Sequence, residues 1–202
     1  MRNCVRSILA GAMFVVLGLA ADAVQDGKDE KKVNLEVGDQ APAFEAPDEE
    51  GNTWLSAKHV GKKLIVLYFY PGDFTPGCTA QAQKFRDNMN KISDLGAEVI
   101  GVSGDSPATH ALFKQAFKLN FSLLADEDGA VARRFGVPVG PGQEVKTRDA
   151  EKNLLVIKRA VTTARWTFII DRDGKIAYKN TKVDPVADSK QVEEFLQKVE
   201  KK

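Results

Sequence analysis

Cysteine is almost absent from this chain, which has only Cys4 and Cys78 among 202 residues. A fold built on a disulfide framework is thereby excluded. Histidine is equally scarce. His59 and His110 lie far apart in sequence, and neither belongs to a Cys/His/carboxylate cluster at metal-ligand spacing. No metal site is expected, and both histidines are read as ordinary surface or helix residues. Net charge is lacking too: 29 Lys and Arg stand against 28 Asp and Glu, giving +1 with no long basic stripe. Nothing there would draw a nucleic acid or an anionic membrane. "DEDG" (126–129) and "DRDG" (171–174) lack the ligand pattern of a calcium loop and are read as turns. "GPG" (140–142) has no Lys-Ser/Thr helix after it, which argues against a phosphate-binding loop. No cofactor is implied, and there are no repeats.

What is present suits a soluble globular protein: 43% hydrophobic residues can build a core, and 28% charged residues keep its surface wet. The first 23 residues differ from the rest. Arg2 and Arg6 precede the apolar run "ILAGAMFVVLGLA" (8–20), and "ADA" (21–23) resembles a cleavage site. This is the pattern of a secretory signal peptide, and the run is shorter than the ~20 residues of a spanning helix. Cys4 precedes the apolar run, which argues against lipidation. Cleavage after Ala23 would lower the 29 basic residues by two and the 28 acidic residues by one, to a net charge of zero. It would also leave Cys78 alone in an oxidising compartment, with no intramolecular disulfide possible. Residues 24–36 are polar, charged and aperiodic, and read as a flexible leader. The domain proper is expected over 37–202.

Along that domain strands alternate with helices. "FEAPDEEGNTWLS" (44–56) reads as two short strands around an acidic Gly turn. Leu64–Tyr70 is continuously apolar, as a central strand buried on both faces would be. Thr75 is a good N-cap and Pro76 a good first helical residue. Cys78, Ala82, Phe85, Met89 and Ile92 then recur at helical spacing, and Gly96 suits a left-handed C-cap. Residues 97–105 form a strand, 106–120 a helix capped by Ser106, 121–126 a strand and 129–136 a short helix. Residues 166–171 and 175–179 form a hairpin, and 188–202 an amphipathic helix. The fold class is therefore α/β, a thioredoxin-like arrangement with a central mixed β-sheet flanked by helices. Segment 137–163 fits least well. It reads as a Pro/Gly loop with an edge strand at Leu154–Ile157, covering a site or forming an interface.

Cys78 admits two readings. It shares a helix stripe with Ala82 and Phe85, as an inert core thiol would. It also falls in the first turn of a helix that follows a central strand, where active sites of open α/β sheets gather. Unpaired N–H groups and the helix dipole there favour an anion, and a thiolate is the reactive form of cysteine. The spacing of "TPGC" is that of a C-x-x-C redox motif with Thr75 in place of the first cysteine.

"YPGDFTPGCT" (70–79) resembles the signature of the peroxiredoxins, P-x-x-x-[TS]-x-x-C. The longer "FYPGDFTPGCTAQAQKFRDN", then "GAEVIGVSGDSP", "FSLLADEDGAVARRFGV" and "RWTFIIDRDGKI" (165–176), resemble the bacterioferritin-comigratory, or Q-type, subfamily. The likeness runs over roughly 37–200 and breaks in 137–163. It implies a catalytic set: Cys78 as the peroxidatic thiolate, Thr75 contacting the peroxide, Arg165 holding thiolate and peroxide oxygens, and Pro71 shielding the sulfur. Phe74 and Tyr68 are expected to wall the pocket. One departure matters, because many Q-type members carry a resolving cysteine five residues after the peroxidatic one, and here that position is Gln83.

The resemblance therefore implies a one-cysteine peroxidase. It would reduce hydrogen peroxide and small organic hydroperoxides, and its sulfenic acid would be resolved by an external thiol, from a thioredoxin-like protein or a small molecule. Export to the periplasm or exterior, no stable membrane association after signal cleavage, and a monomer or dimer complete the expectation. Two rival readings are an exported thiol-disulfide oxidoreductase and a non-catalytic binding module of the same fold. The missing C-x-x-C partner argues against the first, and the absence of a large basic or aromatic patch against the second.

Overall fold

The computed structural model describes residues 33–148 and 153–200. The expected signal peptide (1–23), Cys4 and most of the leader lie outside the described residues. The centre of the fold is strand β3, Leu64–Phe69, every residue of which is buried. It pairs in parallel with β4 (Ala97–Ser103), which pairs in parallel with β5 (Ser122–Ala125). On its other side it meets β8 (Trp166–Ile170) in antiparallel register, and β8 pairs with β9 (Ile176–Asn180). The result is a mixed five-stranded sheet in the order β5-β4-β3-β8-β9. It is flanked by helices, as expected.

The two-residue alternation of a strand splits β3 between two apolar layers. Leu64, Val66 and Tyr68 pack with Cys78, Ala82, Phe85, Met89 and Ile92 of helix α1 (Pro76–Asp94). Phe113 of α2 (Pro107–Phe117) and Val192 and Leu196 of α4 (Asp188–Glu200) join that layer. Ile65, Leu67 and Phe69 face the opposite layer, with Phe44, Trp54, Val131 and Phe135. That layer holds the short hairpin β1–β2 (Glu45–Pro47, Thr53–Leu55) and α3 (Ala130–Arg134). The helical stripe read from the sequence is thus the buried face of α1.

Local signals act where expected. Ser106 caps α2 by accepting from the Thr109 N–H, and Gly96 takes a left-handed conformation just past α1. The Asp126 carboxylate accepts from the Val131 and Ala132 N–H groups at 2.9 Å each, closing the start of α3.

The expectation for 137–163 is corrected. Instead of a loop with one edge strand, the described part is a long antiparallel hairpin, β6 (Val139–Arg148) with β7 (Leu154–Thr163). The Pro/Gly content of "VPVGPG" disguised β6. Pro141 is tolerated because, among the described residues, this ribbon has two strands and each is an edge strand. The β-branched residues Val156, Ile157, Val161, Thr162 and Thr163 supply the strand character of β7.

Candidate active site

Cys78 lies in the first turn of the 19-residue α1, beyond the carboxyl end of β3. The residue is 1% exposed. Its Sγ accepts a hydrogen bond from Arg165 Nη2 at 3.2 Å. No acidic residue occupies the first turn of α1, so the helix dipole and the guanidinium act together on the sulfur. Arg165 immediately precedes β8, whose first residue, Trp166, pairs with Phe69 at the end of β3. This antiparallel register brings together two residues 87 positions apart.

Thr75 has the extended backbone of an N-cap, but its hydroxyl does not cap the helix. It donates instead to the Gly72 carbonyl at 3.1 Å, across the loop that leads to Cys78. Pro71 is half-buried where β3 ends. Phe74 packs against the apolar layer that contains Cys78, edge-on to Phe113 and tilted against Phe117. Tyr68 stacks on Tyr70 and Phe85 in the same layer, and its buried hydroxyl has no hydrogen-bond partner among the described residues. Burial pushes the phenol groups of Tyr68 and Tyr70 well above their ordinary range, so both stay neutral.

Beneath this loop lies a polar network that sequence reasoning missed. The peptides flanking Asp73 are gripped at both ends: its N–H donates to Asp105 Oδ2 at 2.8 Å, and its carbonyl accepts from Arg159 Nη2 at 3.0 Å. Asp105 and Arg159 are themselves an ion pair at 2.8 Å, with both side chains fully buried. The Asp73 carboxylate accepts from the Tyr70 hydroxyl at 2.7 Å and contacts His110 Nδ1 at 2.7 Å. Nε2 of His110 lies 3.1 Å from the Leu124 carbonyl. His110 is therefore no ordinary surface or helix residue, a correction to the sequence reading. Burial opposes its charge, yet Asp73 and Asp105 outweigh that and hold its pKa above the usual histidine value. Burial raises the Asp73 carboxyl as well, against the pull of His110.

Two of these partners come from the unexpected hairpin. Besides Arg159, Thr163 of β7 donates to the Tyr70 carbonyl at 2.9 Å. Glycine makes this approach possible. A Cβ at Gly72 would lie 2.1 Å from the Arg159 Cζ, and one at Gly104 would lie 2.4 Å from the Val161 carbonyl oxygen. The loop so held carries Phe74 at φ +59°. A bulky residue in the left-handed region is strained by about 1–2 kcal/mol and persists only where its surroundings over-determine it. The sequence signals were faint: a β-branched run around Arg159, and His110 three residues before Phe113 on one face of α2.

On the other side of Cys78, Arg165 Nη1 donates to Gln81 Oε1. Gln81 Nε2 donates to Asp188 Oδ2 at 2.6 Å, and the Thr167 hydroxyl donates to the same oxygen at 2.8 Å. Among the described residues no group of three or more His, Cys, Asp or Glu could hold a metal. The chemistry this arrangement supports is that of a buried cysteine sulfur held by a guanidinium at a helix N-terminus. A reacting oxygen could meet fixed donors there as negative charge develops on its leaving partner.

The chain resembles known proteins in the same terms. Residues 37–179 match the model of the AhpC/TSA family. A putative peroxiredoxin bcp of Coxiella burnetii is 40% identical over 154 residues, 75% of this chain and 93% of that protein. The chloroplastic peroxiredoxin Q of Suaeda salsa is 39% identical over 145 residues, 71% of this chain but 59% of that longer protein. Among solved structures, peroxidoxin BcpB of Mycobacterium tuberculosis superposes with a TM-score of 0.68 at 28% identity, covering 82% of this chain and 99% of that one.

Proposed function

The chain belongs to the AhpC/TSA family as a peroxiredoxin of the Q/bcp kind, a thiol-dependent peroxidase, and from that premise we propose that Cys78 is its peroxidatic residue. The observation that carries this is the 3.2 Å hydrogen bond from Arg165 to the Cys78 sulfur in the first turn of α1. The thiolate attacks the nearer peroxide oxygen. An S–O bond forms as the O–O bond breaks, and the departing oxygen leaves as water or an alcohol once protonated. Arg165 holds the sulfur and the peroxide oxygens in line. Thr75, fixed by the Gly72 carbonyl, presents its hydroxyl oxygen to the peroxide, and Pro71 serves to shield the sulfur from solvent.

Cys78 then carries a sulfenic acid. Gln83 occupies the position where a second cysteine on α1 could have condensed with it, and Cys4 falls within the segment read as a signal peptide. We propose a one-cysteine cycle. An external thiol displaces water from the sulfenic acid to give a mixed disulfide, and a second thiol releases Cys78 together with the reductant's disulfide. A thioredoxin-like protein or a small thiol serves as donor, and hydrogen peroxide and small organic hydroperoxides as substrates. The reading also includes export, signal cleavage, no stable membrane association of the cleaved chain, and a monomer or dimer.

The test is peroxide turnover with a panel of thiol donors, with mass spectrometry of the Cys78 peptide on the same samples. Cys78→Ser should lose all thiol-dependent peroxide consumption. Full activity in that variant would refute the assignment.

A further inference from the structure

Asp188 is a carboxylate buried in the apolar layer on the α1 side of the sheet, and the peroxidase reading does not use it. It opens α4, is 0% exposed, and spends only one of its oxygens. Oδ2 takes both hydrogen bonds, from Gln81 and Thr167, while Oδ1 has no partner among the described residues. Merely fastening α4 to the sheet does not call for such a group, because Val192 and Leu196 already bury the apolar face of that helix. The polar path instead runs onward from Asp188 through Gln81 to Arg165 and ends at the Cys78 sulfur.

We infer that Asp188 is a positioning residue for peroxide reduction, locking the Gln81 amide so that Arg165 stays aimed at Cys78. The inference rests on Cys78 being the peroxidatic residue. An ionised carboxylate only accepts hydrogen bonds, so it fixes Gln81 with its NH2 toward Asp188 and its Oε1 toward the guanidinium. A protonated carboxyl can donate as well as accept, which permits the opposite amide orientation. That orientation would set an NH2 group against the guanidinium of Arg165 and drive it from the sulfur. Protonation of one buried carboxyl thereby becomes misalignment of the group that touches the reacting atoms.

The groups facing Asp188 set where this occurs. Burial pushes its carboxyl up to about 6, while Gln81, Thr167 and Arg165 hold it down and Asp184 raises it. Tyr68 of β3 and Tyr178 of β9 also face it, both with raised pKa and therefore neutral. The arginine's grip is thus expected to tighten as pH rises through about 6.

The experiment uses the full chain. The second-order rate with hydrogen peroxide and the rate of Cys78 alkylation by iodoacetamide, followed on the Cys78 peptide, are measured from pH 4.5 to 8. Asp188→Asn retains the shape but not the acceptor-only character. At pH 7.5 it should react with peroxide about tenfold more slowly than wild type, as a small misplacement of a catalytic group does. The ratio should shrink toward one at pH 5, where wild-type Asp188 is itself neutral. A ratio that is the same at both pH values, or below twofold at pH 7.5, would overturn the inference. If Asp188→Asn does not fold by circular dichroism, Thr167→Val decides. Losing one hydrogen bond to Oδ2 should move the wild-type inflection upward by about one pH unit, and an unmoved inflection would overturn the inference. Failure of the peroxidase reading is separately visible, as wild type that consumes no peroxide through Cys78 but still shows the alkylation profile.

Discussion

Arg159→Met tests whether the β6–β7 hairpin holds the active-site loop. In the wild type the guanidinium donates from Nε to Asp105 at 2.8 Å and from Nη2 to the Asp73 carbonyl at 3.0 Å. Methionine fills similar volume without either donor. Asp105 would keep only the Asp73 N–H and the Ser103 hydroxyl, and would remain a buried carboxylate without its counter-ion. Removing one member of a buried pair costs about 3–5 kcal/mol. The lower end applies, because Nη1 of Arg159 has no partner among the described residues and contributes little to offset its own desolvation. A loss of roughly 3 kcal/mol is a large share of the ~5–15 kcal/mol stability of an ordinary domain, and lowers Tm on the order of 10 °C at this chain size.

The kinetic effect should be separable from that loss. With the Asp73 carbonyl freed, one end of the clamp that holds Phe74 at φ +59° is lost, and the loop carrying Thr75 relaxes. Peroxide reduction at 20 °C, well below the new Tm, should fall by about 10²-fold. Urea unfolding and stopped-flow peroxide kinetics on the same preparations are the assays. Arg159→Lys, which keeps the charge but not the planar fork, should fall between wild type and Met. A Tm within 2 °C of wild type with a rate within twofold would refute the role given to the hairpin base.

Other outcomes follow from the same geometry. Arg165→Met should lower the peroxide rate constant by about 10²–10³-fold, as loss of a preorganised donor does, and stopped-flow fluorescence or ferrous-oxidation assays would check it. Thr75→Val should slow the same step about tenfold while Thr75→Ser restores it, since its hydroxyl makes no cap whose loss could account for the effect. Stability should also depend on pH through Asp188. Its folded pKa of about 6 exceeds the ordinary 3.8, so the folded state binds the proton more tightly. That contribution favours the fold at low pH and declines by about 3 kcal/mol as pH rises from near 4 to near 6, then stays level. Urea midpoints of wild type relative to Asp188→Asn across that window measure it.

The parts legible in the sequence were those with a local period or a local cap. Seven consecutive apolar residues from Leu64 marked the central strand, and the Cys78–Ile92 stripe marked the buried face of α1. Thr-Pro placed Cys78 in a first turn. Arg165 came from resemblance alone, since no local pattern ties it to a sulfur 87 residues away. The hidden parts are partnerships across long separations: His110 with Asp73, Arg159 with Asp105, and Gln81 with Asp188, at 37, 54 and 107 residues. Such pairs leave no periodic trace, because one buried polar residue among apolar neighbours looks like a break in the pattern. The hairpin was missed for a related reason. Its glycines and proline read as loop punctuation, whereas Gly72 and Gly104 outside it are what let β7 settle against the loops after β3 and β4.

The same clamp sets a conflict between the two halves of the catalytic cycle. On the proposed assignment, peroxide has to reach a sulfur in a residue 1% exposed, and its small size suits that. An external thiol is bulkier than peroxide and has to reach a sulfur that the folded protein leaves almost wholly covered. Whatever holds that loop rigid favours the peroxide step and obstructs the thiol step. Arg159→Lys loosens the hold without stripping the charge. It should therefore slow sulfenic acid formation while speeding reduction of pre-oxidised Cys78, and more so for a protein thiol than for dithiothreitol. Stopped-flow measurement of the two half-reactions on one preparation separates them. If both steps slow together, the loop serves thiol entry as well as peroxide alignment, and the obstruction argument fails.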